Sequence, residues 1–372
     1  MKQWAWQQNQ WPNWVWDSDK VTKIQQDTTR IQGRLDGVGN LLGDEISQES
    51  HINALIDDAV STAAIEGEAL NPESVRSSLV NQLGLVDLGL PQADAKTNGQ
   101  VQLLLDANYN FDSKLTNERL WHWHQCLFPL GAPLNRFPVG AYREDSVVVA
   151  SGFPPKQTIH FEAPPADRVA QEMKVFLAWF EGEGKKLPGI IFSAIAHLWF
   201  VTIHPFGDGN GRIARAIGDL ALCKADNLGQ RLYSIPSAIF SQRADYYHAL
   251  QTVQTDRLDI TEWLIWYFGR VQDAVSVAEG RIKQCTLRLG FWEKVADIQL
   301  NERQRKMLKA MLRNDPREYI GGMTTKKYAN LTQCAKQTAA KDLSQLHELG
   351  VFKKSEAGGR STSYQIDRRL LR

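Results

Sequence analysis

The stretch His204-Pro205-Phe206-Gly207-Asp208-Gly209-Asn210-Gly211-Arg212-Ile213-Ala214-Arg215 holds most of the chemistry that this chain of 372 residues offers. An apolar, helix-compatible run from 190 to 203 leads into it, and helix-compatible sequence leaves it through Leu222. Three glycines, a proline, an amide and a carboxylate between two such runs make a sharp loop. Gly209 and Gly211 let the backbone take positive φ and come close to a bound group. The second helix, expected to begin at about Asn210, opens with amide hydrogens that have no partner inside it, which makes an anion site. Arg212 and Arg215 are three apart and share a face, where forked donors can hold phosphate oxygens. Asp208 supplies a hard oxygen ligand beside that anion, suited to magnesium on a polyphosphate. His204 ends the incoming run, and its ordinary pKa lets it take a proton near neutrality. One base, one carboxylate, a backbone cradle and two arginines point to phosphoryl or nucleotidyl transfer. A metal site built from protein alone would need better ligand spacing than one His and one Asp. The glycines are not followed by Lys and Ser/Thr, and no strand precedes them, so neither a Walker loop nor a dinucleotide fingerprint is present.

Those twelve residues match the Fic family pattern HPFx(D/E)GNGRxxR at every fixed position, and the chain resembles that family. The resemblance implies a mainly α fold with a Fic-type helical core. It also implies transfer of AMP from ATP to a Ser, Thr or Tyr hydroxyl on a protein, with release of pyrophosphate. In that reading His204 is the base that takes the hydroxyl proton, and Asp208 holds Mg2+ on the α and β phosphates. Asn210 and the amides near Gly209 and Gly211 receive the α phosphate, Arg212 the β phosphate and Arg215 the γ phosphate.

A second carboxylate bears on the same loop. On a helix expected over about 48–66, Ile52, Leu55, Ala59, Thr62 and Glu66 lie on one side, and Gly67 stops the run. Spacing alone makes Glu66 a solvated helix-end residue. Thr62-Ala63-Ala64-Ile65-Glu66-Gly67, however, is similar to the family's inhibitory pattern, Ser/Thr-x-x-x-Glu-Gly. There the glutamate pairs with the second arginine, here Arg215, and takes the space of the γ phosphate, so the resemblance implies autoinhibition by Glu66. In some relatives the same glutamate helps remove AMP from a modified target, and reverse deAMPylation stays open.

With 43% hydrophobic and 23% charged residues, the chain has the composition of a globular protein with two or three domains. No run of eighteen apolar residues occurs and no apolar stretch follows a basic start, so neither a membrane span nor a signal peptide is expected. Cys126, Cys223, Cys285 and Cys334 are scattered, which predicts reduced thiols in a cytoplasmic protein. The net charge of +1 conceals an asymmetry: residues 301–372 hold 16 Lys+Arg against 7 Asp+Glu, while the first 300 hold 27 against 35. A basic tail on an acidic body points to separate domains.

The remaining elements must position the loop. Trp4, Trp6, Trp11, Trp14 and Trp16 form an aromatic start that reads as a packed cluster, with Pro12 enforcing a turn. Val21, Ile24, Ile31, Leu35, Val38 and Leu41 predict a helix over 20–45. Residues 72–100, with Pro72, Gly84, Pro91 and Gly99, read as irregular, and helices resume over 101–109 and 116–127. His122 and His124, two apart, read as packing or surface residues. Val147-Val148-Val149 and Thr158-Ile159-His160-Phe161, separated by Gly152, Pro154 and Pro155, predict a hairpin, and His160 reads as structural. The hairpin either covers the core or offers an edge to an extended target segment. The resemblance favours the second use, as a flap preceded by Gly140 and Arg143. A helix over 166–181 carries Val169, Met173, Phe176, Leu177 and Phe180 toward the core, and His197 reads as a satisfied buried residue. Tyr246 and Tyr247, on a helix over 241–252, lie near the nucleotide by resemblance, with the stacking ring undecided.

The tail predicts helices over 302–313, 324–330 and 334–349, with the Asp315-Pro316 break after the first. Short strands over 352–354 and 363–366 flank Gly358-Gly359. That order resembles a winged helix-turn-helix domain, whose third helix would show Gln333, Lys336, Gln337 and Lys341 and whose wing would carry Arg360. Such modules bind DNA, bind protein or arrange dimers. The domains expected are thus an N-terminal helical region, 1–98, a catalytic core with a trailing helix, 99–298, and the winged-helix tail, 299–372. The main reading is an enzyme acting on a target protein, with self-modification and a homodimer implied by the family. The rival is a DNA-binding regulator with a nucleotide-sensing site.

Overall fold

The three- and four-residue apolar spacings fold as helices throughout the computed structural model, which describes residues 3–41, 44–85, 91–152, 158–255, 258–312, 322–355 and 362–371. The chain divides into two compact units, Met1–Ala278 and Glu279–Arg372. Residues 1–98 therefore fall in one unit with most of the expected core, and 279–298 fall with the tail. Pro154, Pro155, the Asp315-Pro316 break, Gly358-Gly359 and Arg360 lie outside the described residues.

In the first unit, α1 (Ser18–Leu41) and α2 (Asp44–Ile65) precede α3 (Pro72–Gln82), α4 (Ala95–Tyr109) and α5 (Asn117–Leu127). A hairpin, β1 (Val148–Ser151) and β2 (Thr158–Glu162), is followed by α6 (Ala166–Glu181), α7 (Gly189–Ile203) and α8 (Asn210–Asp226). Next come α9 (Ile235–Ser241), α10 (Arg243–Val253) and α11 (Thr261–Lys294), whose residues from Glu279 onward belong to the second unit. Every residue of α7 from Ile190 to Ile203 is buried, as expected for a helix apolar on all sides. It packs along α8, and α2 lies against α3, α4, α8 and α9. Polar contacts also hold α2 in place. His51 bridges the Arg231 carbonyl through Nδ1 and the Tyr109 hydroxyl through Nε2, each at 2.9 Å. Arg231 in turn pairs with Asp219 of α8 at 2.5 Å, and both are buried beside the buried Asp58 of α2.

Residues 72–100, expected to be irregular, instead hold α3 and the first turn of α4. Pro72 sits in the first turn, where no backbone donor is needed, and the Asn71 side chain caps the helix by accepting from the Glu73 and Ser74 amides. Gly84 takes positive φ to end it. The tryptophan-rich start packs as expected. Trp4 and Trp6 are buried with Phe161 and Ala163, and Trp6 Nε1 donates to the Glu162 carbonyl at 2.7 Å. Trp11 reaches Glu172 of α6 at 2.8 Å. The amino-terminal segment thus holds the base of the hairpin.

The second unit contains α12 (Glu302–Met311), α13 (Thr325–Thr332), α14 (Lys336–Glu348) and the antiparallel pair β3 (Phe352–Lys354) and β4 (Tyr364–Ile366). Its core joins Met307, Leu308, Tyr328, Leu343, Phe352 and Ile366 with Phe291 of α11 and with Val295 just after that helix. Gln333, expected on the third helix, instead ends α13 in the left-handed region with φ of 52°. The third helix begins three residues later.

Gly99 has a packing reason. A Cβ there would lie 1.9 Å from the Cys126 carbonyl oxygen, so α4 and α5 approach backbone to side-chain-free backbone. Gly99→Ala should destabilise the first unit by about 3 kcal/mol, as overpacking with backbone displacement does. Urea unfolding measures this, and an unchanged midpoint would refute the close approach.

Candidate active site

The loop between α7 and α8 is a rigid reversal. His204 caps α7 in the left-handed region, φ 54° and ψ 57°, and Gly209 precedes α8 at φ 79°. Non-glycine residues seldom take that conformation, so the surroundings must impose it. Arg143 does so: its amide donates to the Pro205 carbonyl at 2.9 Å, and its buried guanidinium donates to the carbonyls of His204, Asp145 and Pro164 at 2.8, 2.7 and 2.5 Å. Asn210 braces the loop from the other end. Its side chain accepts from the Phe206 amide at 2.9 Å and donates to the Phe206 carbonyl at 2.8 Å. The Asn210 side chain is therefore occupied in shaping the loop, leaving its backbone amide for an incoming anion. Phe206 stacks on the buried His124 with ring centres 4.2 Å apart, and Phe137 packs so closely that a Cβ on Gly207 would lie 2.4 Å from it.

His204 is partly exposed to the cleft, and its Nδ1 lies 3.1 Å from the Val201 carbonyl. A carbonyl only accepts, so that nitrogen carries the proton and Nε2 is left as the basic one. Burial, reinforced by Arg143, pushes the imidazole pKa below its ordinary value despite the Val201 contact. The ring is thus neutral at pH 7.

No side chain caps the start of α8. The Glu66 carboxylate comes to that place instead: a Cβ on Gly211 would lie 2.3 Å from Glu66 Oε1. The same oxygen accepts from Arg215 Nη2 at 2.6 Å, and Arg215 Nη2 also lies 3.2 Å from the Thr62 carbonyl. Burial tends to raise the Glu66 pKa, but Arg215, Arg212 and His204 outweigh it and hold the carboxyl below its ordinary value. Gly67, at φ 82°, closes α2 with a Schellman turn in which the Glu68 amide donates to the Ala63 carbonyl and that of Gly67 to Ala64. Arg212, also buried, stands over the Phe128 ring at 5.2 Å, with Asp208 at 3.6 Å and Glu68 at 3.4 Å. Arg212 Nε and Arg215 Nε and Nη1 have no protein partner among the described residues. Buried, unmatched guanidinium donors at a helix start suit phosphate oxygens.

A cleft of about 780 Å³ opens over this floor. One wall is the hairpin, whose register runs Val148 to Glu162, Val149 to Phe161, Ala150 to Ile159 and Ser151 to Thr158, with an irregularity after Val149. Val148, Val149 and Ile159 are exposed, whereas Val147 packs on the tryptophan cluster. The other wall is α10. Tyr246 is buried, its hydroxyl 2.9 Å from His197 Nε2, while Tyr247 is 41% exposed and donates to the Ile65 carbonyl at 3.1 Å. The exposed ring of the pair is therefore Tyr247, with Arg243 over it at 5.7 Å.

The structure brings His204, Asp208, Gly209, Gly211, Arg212, Arg215, Glu66, Tyr247 and the hairpin to one place. Sequence reading missed Glu68, whose only signal was a second acidic residue two positions after Glu66. It also left His124 as packing or surface and did not see the three-carbonyl contact of Arg143, because both depend on a chain reversal between distant segments.

Comparison with known proteins gives this arrangement a class. Residues 114–222 match the Fic/DOC family, and residues 4–85 match a domain of unknown function (DUF4172). The protein adenylyltransferase Fic of Drosophila melanogaster is 34% identical over 113 residues, 30% of this chain and 20% of that protein. Its namesake from Nematostella vectensis is 34% identical over 114 residues, 30% of this chain and 23% of the relative. The chain thus spans about a fifth of the length of these curated relatives. In fold, a Fic family protein from Desulfovibrio desulfuricans superposes with a TM-score of 0.55 at 21% identity, covering 95% of this chain and 97% of that one. Fic-1 from C. elegans does so at 0.51 and 19%, covering 72% and 74%. The segment that builds the loop and the cleft floor is homologous to the Fic family.

Two buried histidines under the site make a pH signature. Burial holds His197 down at about 3 and His124 at about 4, so both are neutral when folded. Unfolded, they titrate near 6.5. Their stabilising contribution is complete above that value and declines as pH falls through it toward 4 and 3. Each lowers stability by about 1.4 kcal/mol per pH unit within that window. Thermal midpoints should fall between pH 6.5 and 5, and His197→Gln should flatten the slope; an equal slope in the variant would contradict the assignment.

Proposed function

We propose that this chain is a protein adenylyltransferase, autoinhibited by Glu66, that transfers AMP from ATP to a Ser, Thr or Tyr hydroxyl of a protein. The observation that carries the reading is His204, neutral and with its Nε2 free of the proton, at the edge of a helix start that combines unmatched amides with two buried arginines. The α8 amides hold the α phosphate, Arg212 the β phosphate and Arg215 the γ phosphate. His204 Nε2 takes the proton from the target hydroxyl, whose oxygen forms the new bond to the α phosphorus as the bond to pyrophosphate breaks. Asp208, with its side chain 56% exposed beside the phosphate site, fits Mg2+ shared with the phosphates, an ion that would offset the charge of the leaving pyrophosphate. Among the described residues no group of three or more His, Cys, Asp or Glu side chains lies together as a metal site.

The exposed edges of β1 and β2, carrying Val148, Val149, Thr158 and Ile159, suit an extended target segment added by main-chain pairing. Tyr247 is the ring placed to meet adenine. Glu66, on Arg215 at 2.6 Å, stands where the γ phosphate belongs and so keeps the resting protein slow. The same carboxylate could orient water in the reverse deAMPylation.

A second reading concerns the tail. Its three helices and two-stranded pair have the order of a winged helix-turn-helix, and Gln333, Lys336, Gln337 and Lys341 are exposed. With the surplus of positive charge this suits duplex DNA, either as an accessory to the enzyme or as the main task of a nucleotide-sensing regulator. Gel shifts over a salt series test it: binding that weakens with salt is expected, and no shift at low salt would remove it.

With ATP labelled at the α phosphate and Mg2+, label should enter protein, including the chain itself. His204→Ala should lower incorporation by roughly a hundredfold or more, the usual contribution of a general base. Glu66→Gly should raise it by at least about tenfold as the buried arginine becomes available. Release of γ-phosphate label without α incorporation would point instead to hydrolysis.

A further inference from the structure

The start of α8 meets two carboxylates. Glu66 holds Arg215, and Glu68, two residues later, lies 3.4 Å from Arg212 Nη1 through Oε2. The Schellman turn at Gly67 explains how both reach the same helix, since it reverses the backbone between them. We propose that Glu68 is a second competitor for nucleotide, acting at the position of the β phosphate and independently of Glu66. This rests on the nucleotide-transfer reading of the site.

The two contacts differ in kind. Glu66 bonds Arg215 at 2.6 Å, and a withdrawn Glu66 would leave a buried guanidinium uncompensated. Glu68, whose side chain is as exposed as that of Glu66, shares its Oε2 between Arg212 at 3.4 Å and Lys96 Nζ, at the start of α4, at 2.8 Å. When a diphosphate reaches Arg212, Glu68 gives up its longer contact and keeps Lys96. Its competition is therefore weak and reversible, and it falls on affinity. Glu66 stands in the γ-phosphate position and bears on alignment. Asp208, 3.6 Å from Arg212 Nη2, is the remaining carboxylate on this guanidinium, and it is the one assigned to the metal.

ADP and AMP separate these roles without turnover, because AMP has no β phosphate. Titration calorimetry of the full chain with each nucleotide and Mg2+ is the measurement. Glu68→Gln should tighten ADP about fivefold, the effect of removing one partly exposed ion-pair competitor, and leave AMP unchanged. Lys96→Ala, which leaves Glu68 to Arg212 alone, should weaken ADP more than AMP. In the Glu68→Gln background Lys96→Ala should act on both nucleotides alike. Unchanged ADP affinity in Glu68→Gln, or an equal gain for AMP, would overturn the role of Glu68 while leaving transfer intact. Failure of either nucleotide to bind any of these proteins, Glu66→Gly included, would instead remove the nucleotide reading itself.

Discussion

A positive pole buried under a cleft has to be neutralised, and much of this fold answers to that requirement. The free amides at the start of α8 carry partial positive charge, and Arg212 and Arg215, each 3% exposed, add two full charges within one turn. Leaving such a guanidinium buried without a partner costs about 3–5 kcal/mol. An anion at the pole is therefore strongly favoured, and on the proposed reading one anion would be exchanged for another. Protein carboxylates occupy the pole here. Phosphates carry more charge and more acceptor oxygens, so they are the natural competitors.

Exchange of anions is useful only if the floor keeps its shape while the occupant changes, and the bracing of the loop meets that need. Arg143 fixes three carbonyls, Asn210 fixes both polar groups of Phe206, and the His124 ring supports Phe206 from below. None of these contacts uses the amides at the start of α8 or the arginines that face the cleft. The left-handed conformation of His204 is held by the same contacts, which keep Nδ1 on the Val201 carbonyl and the basic nitrogen available. Donors set in advance toward developing charge need no reorganisation during the reaction, which is where much of an enzyme's rate advantage arises.

The sequence made some of this legible and hid the rest for identifiable reasons. Helices were readable where an apolar stripe or an all-apolar run dictated burial, so α6 and α7 fall where the spacing puts them. α3 was hidden because Pro72 and Gly84 look like breakers, yet they mark the start and stop of one helix. Gln333 was misplaced because the break after α13 turns on one left-handed residue of a type that also suits a helix. The chemistry at the loop was readable because it is contiguous in the chain. Glu68 and Arg143 lie 144 and 61 residues from their partners, and no local pattern encodes such a distance.

Any departure of Glu66 from Arg215, as the proposed autoinhibition requires, would be constrained by how α2 is held. Ile52, Leu55, Ala59, Ala63 and Ile65 are buried along the helix, and fully burying a Leu or Ile is worth about 1.5–3 kcal/mol. His51 adds contacts to Arg231 and Tyr109, and Asp58 lies in the buried pocket of Asp219 and Arg231, its pKa raised well above the ordinary value by burial and by Asp219. Withdrawing the whole helix would break all of these together. The last turn is different: Glu66, Gly67 and Glu68 are held by the Schellman bonds, by Tyr247 on the Ile65 carbonyl and by the ion pairs themselves. On the proposed reading, phosphates arriving at Arg212 and Arg215 would replace those ion pairs directly, so the free energy that frees Glu66 would come from the ligand that takes its place. Release confined to the final turn leaves the packed length of α2 untouched, and the cleft floor with it.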